Sequence, residues 1–219
     1  MKVLLFGATG MIGQGVLREC LLDAQVTDIL SVGRSPTGLT HPKLREILHQ
    51  DFFDFSAIEG ELSGLDACFF CLGVTSAGLT EEAYRRVTHD LTLAAARTLS
   101  RLNPHMTFIY LSGAGTDSTE RGPIMWARVK GQTENALLRL PFKAVYLFRP
   151  GLIQPLHGIT SSTRLYRILY RMLGPFLPLL RAVSPDSLTT TEQLGKALIH
   201  AALQGAPKPV LETRDINRL

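Results

Sequence analysis

Short runs of consecutive apolar residues alternate along this chain with longer stretches in which apolar positions recur every three or four residues. The runs 2–7 (KVLLFG), 28–34 (DILSVGR), 44–51 (LREILHQD), 66–73 (DACFFCLG), 106–113 (MTFIYLSG) and 143–151 (KAVYLFRPG) predict six strands. Helical spacing between them predicts helices over about 11–22, 80–101 and 124–140. Strands that are apolar at every position, rather than at every second one, are covered on both faces, and strands separated by helices lie parallel. With right-handed crossovers the pattern specifies an α/β, doubly wound parallel sheet of the Rossmann type, with helices on both faces.

After residue 151 the rhythm changes. Residues 161–174 (SSTRLYRILYRMLG) read as an amphipathic helix with Arg164, Arg167 and Arg171 on one face and Leu165, Ile168, Leu169 and Met172 on another. Prolines at 175, 178 and 185 then interrupt regular structure. A further helix follows over about 190–204, for which Thr189 and Glu192 form a capping box, and a short run at 209–213 closes the fold. The whole chain, 1–219, reads as one domain with 152–188 as a small cover on the substrate side.

Composition narrows the class. A chain of 219 residues with 45% hydrophobic and 19% charged residues buries a full core and is not disordered. Its net charge of +4 suits an anionic ligand, but the basic residues are spread along the chain, which argues against nucleic acid. The apolar start, 2–6, ends in a glycine turn without a cleavage pattern, and the run 172–180 is too short for a bilayer and carries two prolines. Cytoplasmic location is the expectation. Three cysteines, an odd number, argue against a disulfide framework, and Cys68 and Cys71 fall on opposite sides of a strand, so no metal site is expected. The histidines at 41, 49, 89, 105, 157 and 200 show no zinc-site spacing.

The segment GATGMIG places Gly7, Gly10 and Gly13 directly after a strand and at the opening of a helix, with Thr9, Met11 and Ile12 between them. Such glycines permit a tight turn, and the helix end offers free N–H groups to a pyrophosphate. The second strand ends in VGRSP, with Arg34 and Ser35 where an NAD-binding site carries a carboxylate. A guanidinium and a hydroxyl suit a 2′-phosphate, so NADP(H) is favoured over NAD(H).

From these motifs the sequence resembles the atypical, extended branch of the short-chain dehydrogenase/reductase superfamily. The length and the closing VLETRDINRL look most like its Tat-interacting-protein-like, epimerase-like group. The resemblance implies that Asp51 and Phe52 of HQDFFD meet adenine, and that Leu72, Gly73 and Val74 line the cofactor. It puts Ser112 of YLSGAG at the catalytic serine position and Lys130 at the lysine of Tyr-x-x-x-Lys, with FRPGLI near the nicotinamide. Trp126 stands where that motif carries its tyrosine. Indole N–H donates a hydrogen bond but does not ionise near neutrality. Tyr110, Tyr84 and His157 are the candidate substitutes for the missing acid.

Two functions follow as expectations. One is an NADP-dependent oxidoreductase or epimerase-like enzyme acting on an unknown carbonyl or hydroxyl compound. The other is an NADP(H)-sensing regulator or scaffold that binds a protein partner without turnover. The Arg164/Arg167/Arg171 face keeps three readings: a solvated surface, a binder of an anionic substrate, or a contact with lipid headgroups or a partner.

Overall fold

The computed structural model describes residues 1–160 and 185–219. Seven strands form one sheet in the order β3-β2-β1-β4-β5-β6-β9, every neighbouring pair parallel. They are β1 (Lys2–Phe6), β2 (Asp28–Gly33), β3 (Leu44–Leu48), β4 (Ala67–Phe70), β5 (Thr107–Leu111), β6 (Ala144–Arg149) and β9 (Val210–Glu212). Between β6 and β9 in sequence, β7 (Leu152–Gln154) and β8 (Leu188–Thr190) pair as a separate parallel ribbon. That ribbon bounds the span read as a cover; the predicted helix 161–174, with Arg164, Arg167 and Arg171, lies outside the described residues.

The apolar runs split by parity, as strand geometry requires. Val3 and Leu5 face one side, where they meet Val16 and Leu17 of α1 (Met11–Leu22) and Leu194 and Leu198 of α5 (Thr191–Gln204). Leu4 and Phe6 face the other, with Phe52, Phe55, Leu93 and Leu99 of α3 (Leu91–Leu102), and Leu137 of α4 (Met125–Leu137). Cys68 packs on this second side and Cys71 on the first, so the CFFC pair does point apart. Burial pushes all three thiols upward, Cys20 and Cys68 included, which leaves them unreactive.

Three local readings need correction. The predicted helix 80–101 is two helices, α2 (Glu81–Arg85) and α3, joined by one wide π-helical turn, Arg86–Asp90. Across it the Leu91 N–H reaches back to the Arg86 carbonyl, a spacing that apolar periodicity does not report. The cap of α5 is Thr190, whose hydroxyl accepts from Gln193 N–H at 3.0 Å; Thr189 is buried one residue earlier. Glu192 turns instead to His157 and Lys196. The short helix α6 (Thr213–Ile216), which closes the fold after β9, carried no sequence signal of its own.

One contact fixes the loop between β5 and α4. Asp117 donates its N–H to the Ala127 carbonyl at 3.1 Å, and a Cβ on Gly131 would overlap the Asp117 carbonyl oxygen. The helix and the loop touch backbone to backbone there. Gly131→Ala should therefore cost about 1–3 kcal/mol in urea unfolding, whereas Gly60→Ala, with open space around it, should stay within about 0.5 kcal/mol.

Candidate functional site

The sheet order reverses between β1 and β4, and in such sheets ligands lie in the crevice at the carboxyl ends of those strands. Gly7 ends β1 with φ +80°, and a Cβ on it would lie 2.8 Å from the Cys71 backbone at the end of β4. A Cβ on Gly13 would overlap the Gly7 carbonyl, so α1 starts tight against the loop. Gly10 is the N-cap of α1 and brings no side-chain cap, and no acidic residue sits in the first turn. The N–H end of α1 at Met11, Ile12 and Gly13 therefore keeps its partial positive charge for an anion. Thr9 takes part through its carbonyl, which accepts from Gln14 at 2.9 Å and stiffens the loop.

Beside this helix end lies a cleft of about 460 Å³ lined by Arg34, Asp51, Phe52, Leu72, Gly73 and Val74. These six residues come from three separated segments, and the sequence assigned all of them to the cofactor. Arg34 is exposed, and among the described residues no carboxylate pairs with it. Ser35 is exposed one residue further along and is not part of the lining. The Asp51 carboxylate accepts from Phe53 N–H at 2.9 Å, which fixes the turn. Phe52 turns its ring into the core against Phe6 and Phe55, so it offers the cleft backbone rather than ring. Gln50, Phe53, Val87 and Leu91 also line the cleft, and the sequence did not point to them. Phe53 is 41% exposed and lies under the Arg86 guanidinium, 4.9 Å from the ring centroid. Val87 lies in the π-helical turn and Leu91 directly after it.

Trp126 and Lys130 lie one turn apart on α4, Trp126 half-buried and Lys130 beside the end of β5. The Lys130 ammonium donates to the Ser112 backbone carbonyl and lies 3.9 Å from where a Gly113 Cβ would be. Burial lowers its pKa from 10.5 to about 8, with Glu134 opposing. Ser112 does not offer its hydroxyl to this space, contrary to the expectation of a serine facing substrate. Two residues after Tyr110, it points to the same sheet side, where it donates to Glu134 Oε1 at 2.5 Å. Glu134 is 1% exposed and forms a bidentate pair with Arg149, whose Nε donates to Oε1 at 3.0 Å. Arg149 also donates to Ser118 Oγ at 2.5 Å and to Glu212 at 3.3 Å. This network ties β6, α4 and the loop after β5 together, and position 113, not 112, faces Lys130.

The proposed substitutes for a tyrosine acid are elsewhere. Tyr84 and Tyr110 are buried in the core, and desolvation raises both hydroxyls above their ordinary pKa. His157 lies across the glycine loop, in a second cavity of about 530 Å³ with Thr9, Gln14 and Arg18. It bonds Glu192 at 2.7 Å. Ligand atoms of Glu19, His157 and Glu192 lie within 4.8 Å of one another, but Arg18 and Lys196 already occupy the two carboxylates. That arrangement is an ion-pair network.

No protein-family model matches the chain. It is 26% identical to the mitochondrial protein FMP52 of Chaetomium globosum over 234 residues, spanning 99% of this chain and 95% of that protein. It is 27% identical to Protein HTATIP2 of Rattus norvegicus over 155 residues, 69% of this chain and 62% of that protein. The fold matches the Bordetella bronchiseptica enzyme WbmF, solved in complex with NAD⁺, with a TM-score of 0.67 at 14% identity over 99% of this chain and 76% of that one. The chain resembles the Tat-interacting-protein-like group of the short-chain dehydrogenase/reductase superfamily. Its fold is the Rossmann-type α/β fold also seen in WbmF with NAD⁺ and in a Streptomyces venezuelae dTDP-glucose 4,6-dehydratase with NAD bound. The expectation of a cytoplasmic location does not stand, because FMP52 relatives that match along the chain are named mitochondrial. No helix among the described residues is long and apolar enough to cross a membrane.

Two measurements probe this centre. Glu134→Ala removes the buried bidentate partner of Arg149, leaving it only Ser118 and the exposed carboxylate of Glu212, and should cost about 3 kcal/mol in urea unfolding. Lys130 has a folded-state pKa near 8 against 10.5 when exposed, so between those values the unfolded chain binds the extra proton. Its contribution to stability should rise as pH climbs through that window, and Lys130→Met should flatten the rise.

Proposed function

We propose that this chain binds NADP(H) across the carboxyl ends of β1, β2 and β4 and reduces a carbonyl compound. The observation that carries the reading is the single cleft uniting Arg34, Asp51, Phe52, Leu72, Gly73 and Val74 beside an uncapped helix end. The N–H groups at Met11, Ile12 and Gly13 hold the pyrophosphate. Phe53, Val87 and Leu91 give adenine an apolar seat, and the Arg34 guanidinium pairs with the 2′-phosphate.

NADPH, when bound, supplies a hydride. Lys130 holds the nicotinamide ribose hydroxyls through its ammonium, and Trp126 bounds the acceptor's side of the site. The buried Ser112–Glu134–Arg149 network holds α4 and the loop after β5 in register, which keeps Lys130 on its strand-end carbonyl.

A second reading is a cofactor sensor without turnover, and Trp126 in place of an ionisable hydroxyl favours it. The two part on one experiment. Trp126 is the chain's single tryptophan, so energy transfer from it to the reduced nicotinamide reports NADPH binding directly. Multiple turnovers of NADPH with any acceptor reject the sensor. Arg34→Ala should weaken NADPH binding by about 10-fold or more, the worth of one charged hydrogen bond, while changing NADH little. Equal loss for both cofactors would show that Arg34 does not hold the phosphate.

A further inference from the structure

Two segments meet at one end of the cleft, the turn after β3 and the π-helical turn Arg86–Asp90. The first gives Phe53 to the lining and the second gives Val87. Phe52 and Phe55 are buried in the core, whereas Phe53 is 41% exposed and its N–H is held by the Asp51 carboxylate at 2.9 Å. Two consecutive arginines part at the π-helical turn. Arg85 reaches Asp90 at 3.9 Å and Gln132 of α4 at 3.4 Å. Arg86 instead lays its guanidinium over the Phe53 ring, 4.9 Å from the centroid. That contact joins the two segments and sets a cation against a ring that lines the cleft, while Arg86 itself is not part of the lining.

Resting on the cofactor reading above, we propose that Arg86 is a positioning residue for the adenine base: it covers one face of Phe53 and sets the other face for stacking. Adenine then lies on a ring that itself lies against a guanidinium. Three physical effects act in the same direction. A side chain as exposed as Phe53 loses rotamer freedom when a ligand fixes it, and a cation already holding the ring removes part of that cost. The faces of two aromatic rings are both electron-rich and repel when they lie parallel. A guanidinium draws π density to its own side and relieves that repulsion on the other. It is also weakly hydrated and planar, so it stays on a ring in water better than an ammonium does. Stacking reads a π face and no phosphate, so the two arginines divide the work. Arg34 selects the 2′-phosphate, and Arg86 strengthens binding of adenine nucleotides with or without it.

The test uses the full chain titrated with AMP and with 2′,5′-ADP in a calorimeter, at high salt so that distant surface charges are screened. Phe53→Leu should weaken both nucleotides by about 10-fold, the worth of one base–aromatic stack. Arg86→Ala should weaken both equally, by about 3- to 5-fold, and Arg86→Lys by less, because an ammonium keeps part of the cation–ring attraction. In the Phe53→Leu background Arg86→Ala should cost nothing further, since the ring through which it acts is gone. Both side chains are exposed, so the urea midpoint should stay that of the parent and exclude misfolding as the cause. An unchanged affinity in Arg86→Ala, a loss larger for 2′,5′-ADP than for AMP, or a full loss that persists without the Phe53 ring would each overturn the assignment; the last two would make Arg86 a phosphate partner. A parent chain that binds neither nucleotide would instead overturn the cofactor reading beneath it.

Discussion

Two backbones meeting without a side chain between them set the geometry of this protein. Gly7, at positive φ, lies against the peptide that leaves β4 at Cys71, and Gly13 seats α1 on the Gly7 carbonyl. Any Cβ at either position would push β1, β4 or α1 outward. Because the contact falls where the strand order reverses, it fixes three things together. It aims the free N–H groups of α1 into the crevice, sets the ends of β1 and β4 level, and leaves a cleft beside them.

A second rigid element stands behind the other half of the site. Glu134 and Arg149 are an ion pair with almost no exposure, and their partners reach α4, β6, the loop after β5 and the last strand. A pair so buried contributes little net stability over an apolar substitute, but neither partner tolerates the loss of the other. What it specifies is position. Ser112 is drawn into this network, and that leaves Lys130 to bond the strand-end carbonyl in front of it. The serine here braces the site from behind.

Much of the architecture was legible from the chain. Parallel strands buried on both faces are apolar at every position, so β1, β2, β4, β5 and β6 announced themselves, as did α1 and α4. The glycine loop was legible because its residue types answer a steric demand. Other features were hidden for definite reasons. The π-helical turn at Arg86–Asp90 adds a residue to the helix that apolar periodicity does not report, and Val87 and Leu91 line the cleft from this turn and the residue after it. Ser112 was placed by its position at the strand's end, but its side is set by strand parity and by the unforeseen Glu134. Phe53 reads as one of several aromatics until its neighbours show that Phe52 and Phe55 fill the core and it does not.

By itself, then, the sequence determined the order of strands and helices, the phosphate-binding turn, and the residue types at the ends of β2, β4 and β5. Those are local matters: periodicity, glycine sterics and the chemistry of a strand's last residue act over a few positions. Only the tertiary structure decided which way each side chain points once distant segments meet. Lys130 lies on the Ser112 carbonyl, Ser112 on Glu134, and Trp126 over Gly115, because a helix packs against a strand end at one depth and one rotation. That rotation is fixed by close packing across the whole sheet face, a sum of contacts that no short stretch of the chain contains.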